Sequence, residues 1–396
     1  MIARVFIPLL LIIILPDVYL WLHRLRRPVY SWAERLLWLA PSALMIVFSS
    51  ILAVSPSFVP DDIYWARLYI ALLGVWVVPK LVYVLCSAIG LAICRLAHSR
   101  RNWGRLVGMG LAGYMVYAFV YGYTIGFADI EVKHVTLAVD NLPKEFDGLR
   151  VAHLSDAHVG TYTGRRAQIL SRAVDSTLAQ HPDLICFTGD IQNVKPAELE
   201  PVMPMLARLK APLGVYSVLG NHDYATYLGG TDEERIRAEQ RLCQMERGLG
   251  WHLLLNDNCV IRCGSDSIFI AGMENDGEPP FPSRGDVGKT MRGIPAGAFT
   301  LMLEHDPSSW TRTILPHSTA QVTLSGHTHG GQIELFGLRF TQLRQRHDLG
   351  LYREGQRWLY VNAGLGGVVP MRYHVNPEIT IITLTTNKSS GLMPFF

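Results

Sequence analysis

A surplus of positive charge is missing from most of this chain. Its 396 residues hold 36 Lys and Arg against 33 Asp and Glu, but 11 of the basic and 5 of the acidic residues precede position 131, which leaves 25 against 28 beyond it. A slightly acidic stretch offers no general nucleic-acid-binding surface. Cysteine is also scarce: six occur, at 86, 94, 186, 243, 259 and 263, and no spacing among them makes a zinc-finger framework. Cys86 and Cys94 fall in an apolar run and Cys186 in a strand-like one, so these read as free and buried. A bridge from Cys259 to Cys263 or Cys243 is chemically permitted in an outer domain, but nothing in the sequence calls for it.

Long apolar runs, by contrast, are abundant before residue 130. Four segments, about 5–22, 36–55, 68–94 and 106–127, each approach the roughly 20 apolar residues that a bilayer-spanning helix needs. The first lacks a small-residue cleavage site and is followed by Trp21, His23, Arg24, Arg26 and Arg27, so it reads as a retained span and not as a signal peptide. Arginine loops follow spans one (Arg24, Arg26, Arg27, Arg35) and three (Arg95, Arg100, Arg101, Arg105), whereas Asp61 and Asp62 lie between spans two and three. The positive-inside rule makes the arginine loops cytoplasmic and puts both termini, with everything after residue 130, outside. The expected organisation is a transmembrane region over 1–130 and a globular domain over 131–396, in an inner or plasma membrane.

Spans two and four are nearly free of ionisable groups, as an anchor requires and a transporter does not. Lys80 and Asp17 disturb that picture. Both lie about 12 positions from the outer ends of parallel spans, so at about 1.5 Å rise per residue they fall at similar depth. A lone charge there is costly, and the two are expected to pair between helices unless each snorkels to an interface.

Past residue 130 the pattern changes to short apolar, β-branched runs that alternate with helical ones. Leu149–Ser155 reads as a strand delivering Asp156 and His158, Leu184–Thr188 as one delivering Gly189 and Asp190, and Val215–Leu219 as one delivering Gly220, Asn221, His222 and Asp223. A helix is expected between, over 201–209, which gives a β-α-β architecture. His305-Asp306 and Ser325-Gly326-His327-Thr328-His329-Gly330-Gly331-Gln332 complete the series. A lone Asp-x-His caps turns, and a lone histidine commonly bonds within a core. Five polar clusters in this order, each after a strand-like run, instead gather carboxylate, imidazole and amide groups at strand ends, where open α/β sheets place their chemistry. His153 and His252 sit in no glycine-bounded turn and are left as structural.

The conjunction Asp-x-His, Gly-Asp, Gly-Asn-His, a separate His and Gly-His-x-His resembles the calcineurin-like metallophosphoesterase family, over about residues 149–384. The Leu219–Tyr224 run, the Gly-His-Thr-His-Gly-Gly-Gln run and the stretch from Tyr360-Val361-Asn362 to Pro377-Glu378-Ile379-Thr380 are similar to its YkuE-like membrane-anchored branch. The resemblance implies a four-layer α/β/β/α sandwich behind a four-helix transmembrane anchor. It also implies two divalent metal ions: Asp156, His158 and His329 would hold one, Asn221, His305 and His327 the other, and Asp190 would bridge them. His222 would be the catalytic histidine that serves the leaving group. Mixed nitrogen and oxygen ligands suit Mn, Zn, Fe or Co better than Ca or Mg. The reaction implied is phosphate-ester hydrolysis by water activated between the two cations.

One position departs from the family pattern. Many relatives carry a second carboxylate three residues after the bridging aspartate, where this chain has Asn193. An amide oxygen there can accept the imidazole N–H of His222 but adds no charge, so His222 is expected to be a weaker acid, and Asp at 193 to raise turnover on poor leaving groups, unless Asp223 or another group substitutes. The Pro- and Gly-rich run 273–297 is expected either to shape substrate access or to be a surface excursion. The expected substrate is a phosphomonoester or phosphodiester of a lipid or cell-envelope component beside the bilayer. The alternatives are a cytoplasm-facing hydrolase of a nucleotide-linked lipid precursor, and a non-catalytic metal-dependent binding or sensor module; oligomeric state is not readable.

Overall fold

The fold is that of a computed structural model, which describes residues 2–54 and 63–386. The acidic loop with Asp61 and Asp62, and the tail 387–396, lie outside the described residues. The chain divides into two compact units, one built on the N-terminal helices and one beginning at Ile125.

In the first unit, helices α1 (Ile2–Leu20), α2 (Trp32–Val54), α3 (Ile63–Leu72), α4 (Val78–Leu96) and α5 (Gly104–Thr124) make four helical stretches long and apolar enough to cross a membrane, because α3 runs into α4. The join is a π turn, Leu73–Val77, just ahead of Pro79. Proline has no N–H to close the helical bond one turn back, and a widened turn accommodates the loss. The expected pair of charges is present: Lys80 Nζ lies 2.5 Å from Asp17 Oδ1, and it also donates to Ser42 Oγ on α2. Three helices thus share one buried cation.

The second unit is two mixed six-stranded sheets face to face. One contains β1 (Glu131–Val139), β2 (Leu149–Leu154), β3 (Leu184–Phe187), β4 (Val215–Ser217) and β5 (His252–Leu253). The other contains β6 (Asp257–Cys263), β7 (Asp266–Gly272), β8 (Thr300–Leu303) and β9 (Val322–Ser325). A small hairpin, β10 (Glu334–Leu335) and β11 (Leu338–Arg339), precedes β12 (Gly350–Glu354) and β13 (Arg357–Val361), which return to the second sheet, and β14 (Glu378–Thr386), which returns to the first. The strand orders are β1-β14-β2-β3-β4-β5 and β12-β13-β9-β8-β7-β6.

Both faces of each sheet are covered, which is why the central strands read as unbroken apolar runs. Leu184 and Cys186 of β3 face the inter-sheet core together with Leu301 and Leu303 of β8. Ile185 and Phe187 face the opposite way, against Leu170, Leu206 and Leu242 of the helices α6 (Ala167–Leu178), α7 (Met203–Leu206) and α8 (Asp232–Gly248). Met302 and Leu359 pack outward on the helical turn of Trp310 and Ile314. The layers are therefore α/β/β/α. The helix expected over 201–209 is shorter, with a 3-10 turn at Glu200–Val202 before α7. The register sets Leu154 beside Phe187 and Phe187 beside Ser217, so β2, β3 and β4 release their loops at one edge. Leu303 beside Leu324 does the same for β8 and β9.

Candidate metal centre

Those strand ends carry the residues singled out in the sequence. Asp156, His158, Asp190, Asn221 and His305 are buried, while His222, His327 and His329 are partly open and form the rim. The turns are tight: Asp156, His158, Asp190, His327 and His329 all have positive φ, between 45° and 70°. Side chains seldom adopt that conformation, and a cluster of such residues marks a site whose surroundings over-determine it. Glycine supplies the remaining room. A Cβ at Gly220 would overlap the Asp190 carboxylate, and one at Gly326 would overlap that of Asp156.

Hydrogen bonds fix each group before any ligand arrives. The Asp223 carboxylate accepts the backbone N–H groups of Asp190 (2.7 Å), Ile191 (3.0 Å) and Gly220 (2.8 Å), tying the second and third loops together. His222 N donates to Asp190 Oδ1 at 2.8 Å, and His327 N to Asp156 Oδ2 at 3.0 Å. His305 Nδ1 donates to the Thr188 carbonyl at 2.6 Å, which leaves Nε2 to face the site. That Nε2 and both ring nitrogens of His158 are buried with no hydrogen-bond partner. Buried polar atoms are rarely orphaned without a reason.

The separations supply the reason. Asp190 Oδ2 is 3.5 Å from His158 Nε2 and 3.3 Å from His305 Nε2, and Asp156 Oδ1 is 3.4 Å from His329 Nε2. These are long for hydrogen bonds. They match two ligand atoms that each stand about 2.1 Å from a shared cation, which are separated by about 3.0 to 3.4 Å at octahedral or tetrahedral angles. His327 Nδ1 and Asn221 Oδ1 are 2.8 Å apart, at hydrogen-bond distance, which brings the third and fifth clusters together. Asp156, His158 and His329 form one potential ligand group; Asp190, His305 and His327 form another, and Asp190 with His158 and His222 a third. Asp190 thus stands between the two halves. The residues present fit divalent cations.

Electrostatics favour ligation as well. Burial holds the imidazoles of His158 and His329 well below their ordinary value, helped by His222 at the first and by the Arg372 guanidinium at the second. Burial likewise lowers His327. Neutral imidazole is the ligating form. Burial also acts to lower His305, but the Asp190 and Asp156 carboxylates outweigh it and hold the ring well above its ordinary value. A cation replacing that proton would meet two carboxylates.

The expectation for Asn193 needs correction. His222 Nδ1 does donate at this position, but to the backbone carbonyl of Asn193, at 2.6 Å; the side-chain amide is turned away and donates to Thr161 Oγ1 at 3.1 Å. The Asp223 carboxylate is engaged by backbone donors of the second and third loops. His153 is structural, bonded through Nε2 to Thr188 Oγ1 at 2.9 Å and pushed down to about 3 by burial, and His252 stacks on Tyr216. All six cysteines are free. Run 273–297 reaches the centre: the Phe281 ring stands edge-on to His327 with centroids 4.7 Å apart.

Arg372 gave no signal in the sequence. It is fully buried, donates to the carbonyls of Ala363 (2.7 Å), Gly364 (3.1 Å) and His329 (3.3 Å), and places Nη2 3.2 Å from His329 Nδ1. One guanidinium therefore holds the last histidine turn against the loop after β13.

Comparison with known proteins places the chain in context. Residues 149–331 match the family model for calcineurin-like phosphoesterases, and residues 3–127 match one described as a probable calcineurin-like phosphoesterase transmembrane domain. The uncharacterized metallophosphoesterase YkuE of Bacillus subtilis is 30% identical over 296 residues, covering 72% of this chain and 97% of that protein. A transmembrane protein with metallophosphoesterase domain from Danio rerio is 31% identical over 275 residues, 67% of this chain and 60% of its own length. The UDP-2,3-diacylglucosamine pyrophosphatase LpxG of Chlamydia trachomatis is 29% identical over 298 residues, 61% of this chain and 86% of that protein.

Proposed function

The chain belongs to the calcineurin-like phosphoesterase family, as a multi-pass membrane metallophosphoesterase, and from that premise we propose that it hydrolyses a phosphate ester carried by a lipid or cell-envelope component, with its catalytic unit on the outer side of the membrane. Two divalent cations would be held, one by Asp156, His158 and His329, the other by Asn221, His305 and His327, with Asp190 shared. Mn, Zn, Fe or Co suits that donor set. When bound, such cations supply positive charge to the phosphoryl oxygens and acidify water. The observation that carries this reading is the convergence of orphaned or neutral imidazole nitrogens on two buried carboxylates at 3.3 to 3.5 Å.

The chain's own residues do the rest. Donation from Nδ1 to the Asn193 carbonyl fixes the His222 tautomer and leaves Nε2 to hold a proton for the leaving oxygen. Its ring lies perpendicular to that of His158, with centroids 4.7 Å apart, so it borders the centre on the exposed side. Phe281 narrows the approach over His327 and favours an ester with an apolar group beside the phosphorus.

The arginine loops support the outward orientation. A second reading is favoured by the name of one relative: LpxG is a pyrophosphatase of a UDP-linked diacylated sugar, which supports a nucleotide-linked lipid as substrate. A reporter fused at the C-terminus separates the two by the compartment it occupies. The test of the chemistry is hydrolysis of an aryl phosphodiester by detergent-purified, metal-stripped protein reloaded with Mn, Zn, Fe, Co or Mg. Metal-dependent turnover that disappears in Asp190→Asn is expected. Metal binding without turnover on any ester would instead favour a sensor.

A further inference from the structure

Among its described residues the second unit exposes few large apolar side chains, and most of them lie in one place. Phe336 (79% exposed), Leu338 (72%), Phe340 (71%) and Leu343 (82%) fall within eight residues, on the β10–β11 hairpin and the 3-10 turn Phe340–Leu343 that follows it. Leaving four such groups in water within eight residues is unfavourable, and a concentration of exposed apolar surface marks a place that meets something.

The patch is built and held. Leu335 pairs with Leu338 and Glu334 with Arg339, so Phe336 and Gly337 form a two-residue turn. Phe336 has φ +54°, a conformation that such turns usually assign to Asn, Asp or Gly. A strained phenylalanine kept at a solvent-facing tip points to a use for its ring. Arg339 clamps the base, donating to Glu334 Oε2 at 2.6 Å and to Asp348 Oδ2 at 2.8 Å, and Thr341 Oγ1 joins Asp348 Oδ2 at 3.0 Å. The same segment bonds the metal-site turn, because Thr328, between His327 and His329, donates through Oγ1 to the Asp348 carbonyl. The base of the hairpin is thus tied to the turn that carries His327 and His329.

Charge identifies the occupant. Glu334 and Asp348, at the base of the hairpin, are taken up by Arg339. Arg344 and Arg346, exposed immediately after Leu343, have no ion pair among the described residues. Apolar tips with a basic fringe match a surface of anionic headgroups over hydrocarbon. We propose that the segment from Phe336 to Arg346 is a lipid-surface anchor, which buries its four apolar side chains in the interfacial layer of an anionic bilayer and sets Arg344 and Arg346 among the headgroups. The contact would hold the centre at the lipid surface whichever ester is hydrolysed there.

The test uses the full chain in phosphatidylcholine–phosphatidylglycerol nanodiscs, one chain per disc, with exposed Cys263 replaced by serine. Nitroxide labels are placed at Leu338→Cys or Leu343→Cys, with Ile236→Cys as an exposed control elsewhere on the unit. Accessibility to oxygen is compared with that to a water-soluble nickel chelate. Both hairpin labels are expected to favour oxygen several-fold over the control, and Arg344→Gln with Arg346→Gln, or discs of phosphatidylcholine alone, to lower that preference. Water-like values at both positions would overturn the proposal. So would shielding from both reagents that appears only when two chains share a disc, since the patch would then be a contact between copies. Neither readout depends on catalytic turnover.

Discussion

Lys80 Nζ and Asp17 Oδ1 sit 2.5 Å apart, with side-chain exposures of 3% and 15%, and join α4 to α1 through an ion pair within the membrane-spanning unit. Ser42 on α2 accepts a further hydrogen bond from the same ammonium. Removing one partner of a buried pair leaves an uncompensated charge, which costs about 3–5 kcal/mol, whereas removing both costs far less. Lys80→Met and Asp17→Asn are therefore each expected to lower the melting temperature of the detergent-solubilised protein, and the double variant to recover a large part of the loss. Additive losses in the cycle would show that the two residues act separately.

The ring of His222 is held by the main-chain carbonyl of Asn193, in the second loop. His222→Ala should lower turnover on alkyl esters by about 10²–10⁴-fold and much less on aryl esters, whose leaving groups need no proton. Asn193→Asp should bring no gain. The side chain does not face the imidazole, and Glu198, which accepts the N–H of Asn193 at 2.6 Å, would place a second carboxylate beside the new one. Leaving-group dependence of kcat for the two variants is the measurement. A rise for Asn193→Asp on poor leaving groups would mean that the side chain turns toward the ring during turnover.

Much of this site was legible because strand ends are legible. An apolar, β-branched run that stops at Asp156, at Gly189-Asp190 or at Gly220-Asn221 fixes both the strand and the place of the polar group, and the depth argument for Lys80 and Asp17 works because helical rise is uniform. What could not be read depends on contacts between distant segments. Nothing local to Arg372 distinguishes it from a surface arginine until β13 and the His327–His329 turn converge on it. At Asn193 the residue type suggested a side-chain role, while the backbone carbonyl, which every residue possesses, makes the bond. The apolar residues near 340 carry no helical or strand periodicity, so their exposure appears only in the folded hairpin.

Glu246 on α8 is fully buried and accepts from Ser217 Oγ at 2.7 Å. Burial pushes its carboxyl up to about 7, against the opposing effects of Ser217 and Arg247. An acid whose folded value lies above its unfolded one stabilises the fold at low pH, and the contribution is lost as pH rises from about 4.5 to the folded value; here the loss is on the order of 3 kcal/mol. Glu246→Gln keeps an oxygen for Ser217 and has no proton to lose. The difference in melting temperature between this variant and the parent should grow in the variant's favour from about pH 4.5 to pH 7 and then level off. A difference that does not change with pH would place the Glu246 titration outside this range.

Arg372 offers the sharpest separation between holding the site and performing the reaction. Its guanidinium donates to the carbonyls of His329, Ala363 and Gly364 at once, a planar fork that an ammonium cannot reproduce. Groups that orient ligands from behind typically contribute 10- to 100-fold to metal affinity. Arg372→Lys should therefore weaken metal binding by about that factor, while kcat at saturating metal changes little, because His222 and the exposed side of the centre are untouched. Arg372→Met should weaken it further, since the buried carbonyls then lose every donor that the side chain supplied. Metal titration of stripped protein, followed by competition with a chromophoric chelator, reads the affinity without turnover. If both variants bound metal as the parent does but lost kcat, Arg372 would belong to the reaction and not to the scaffold behind His329.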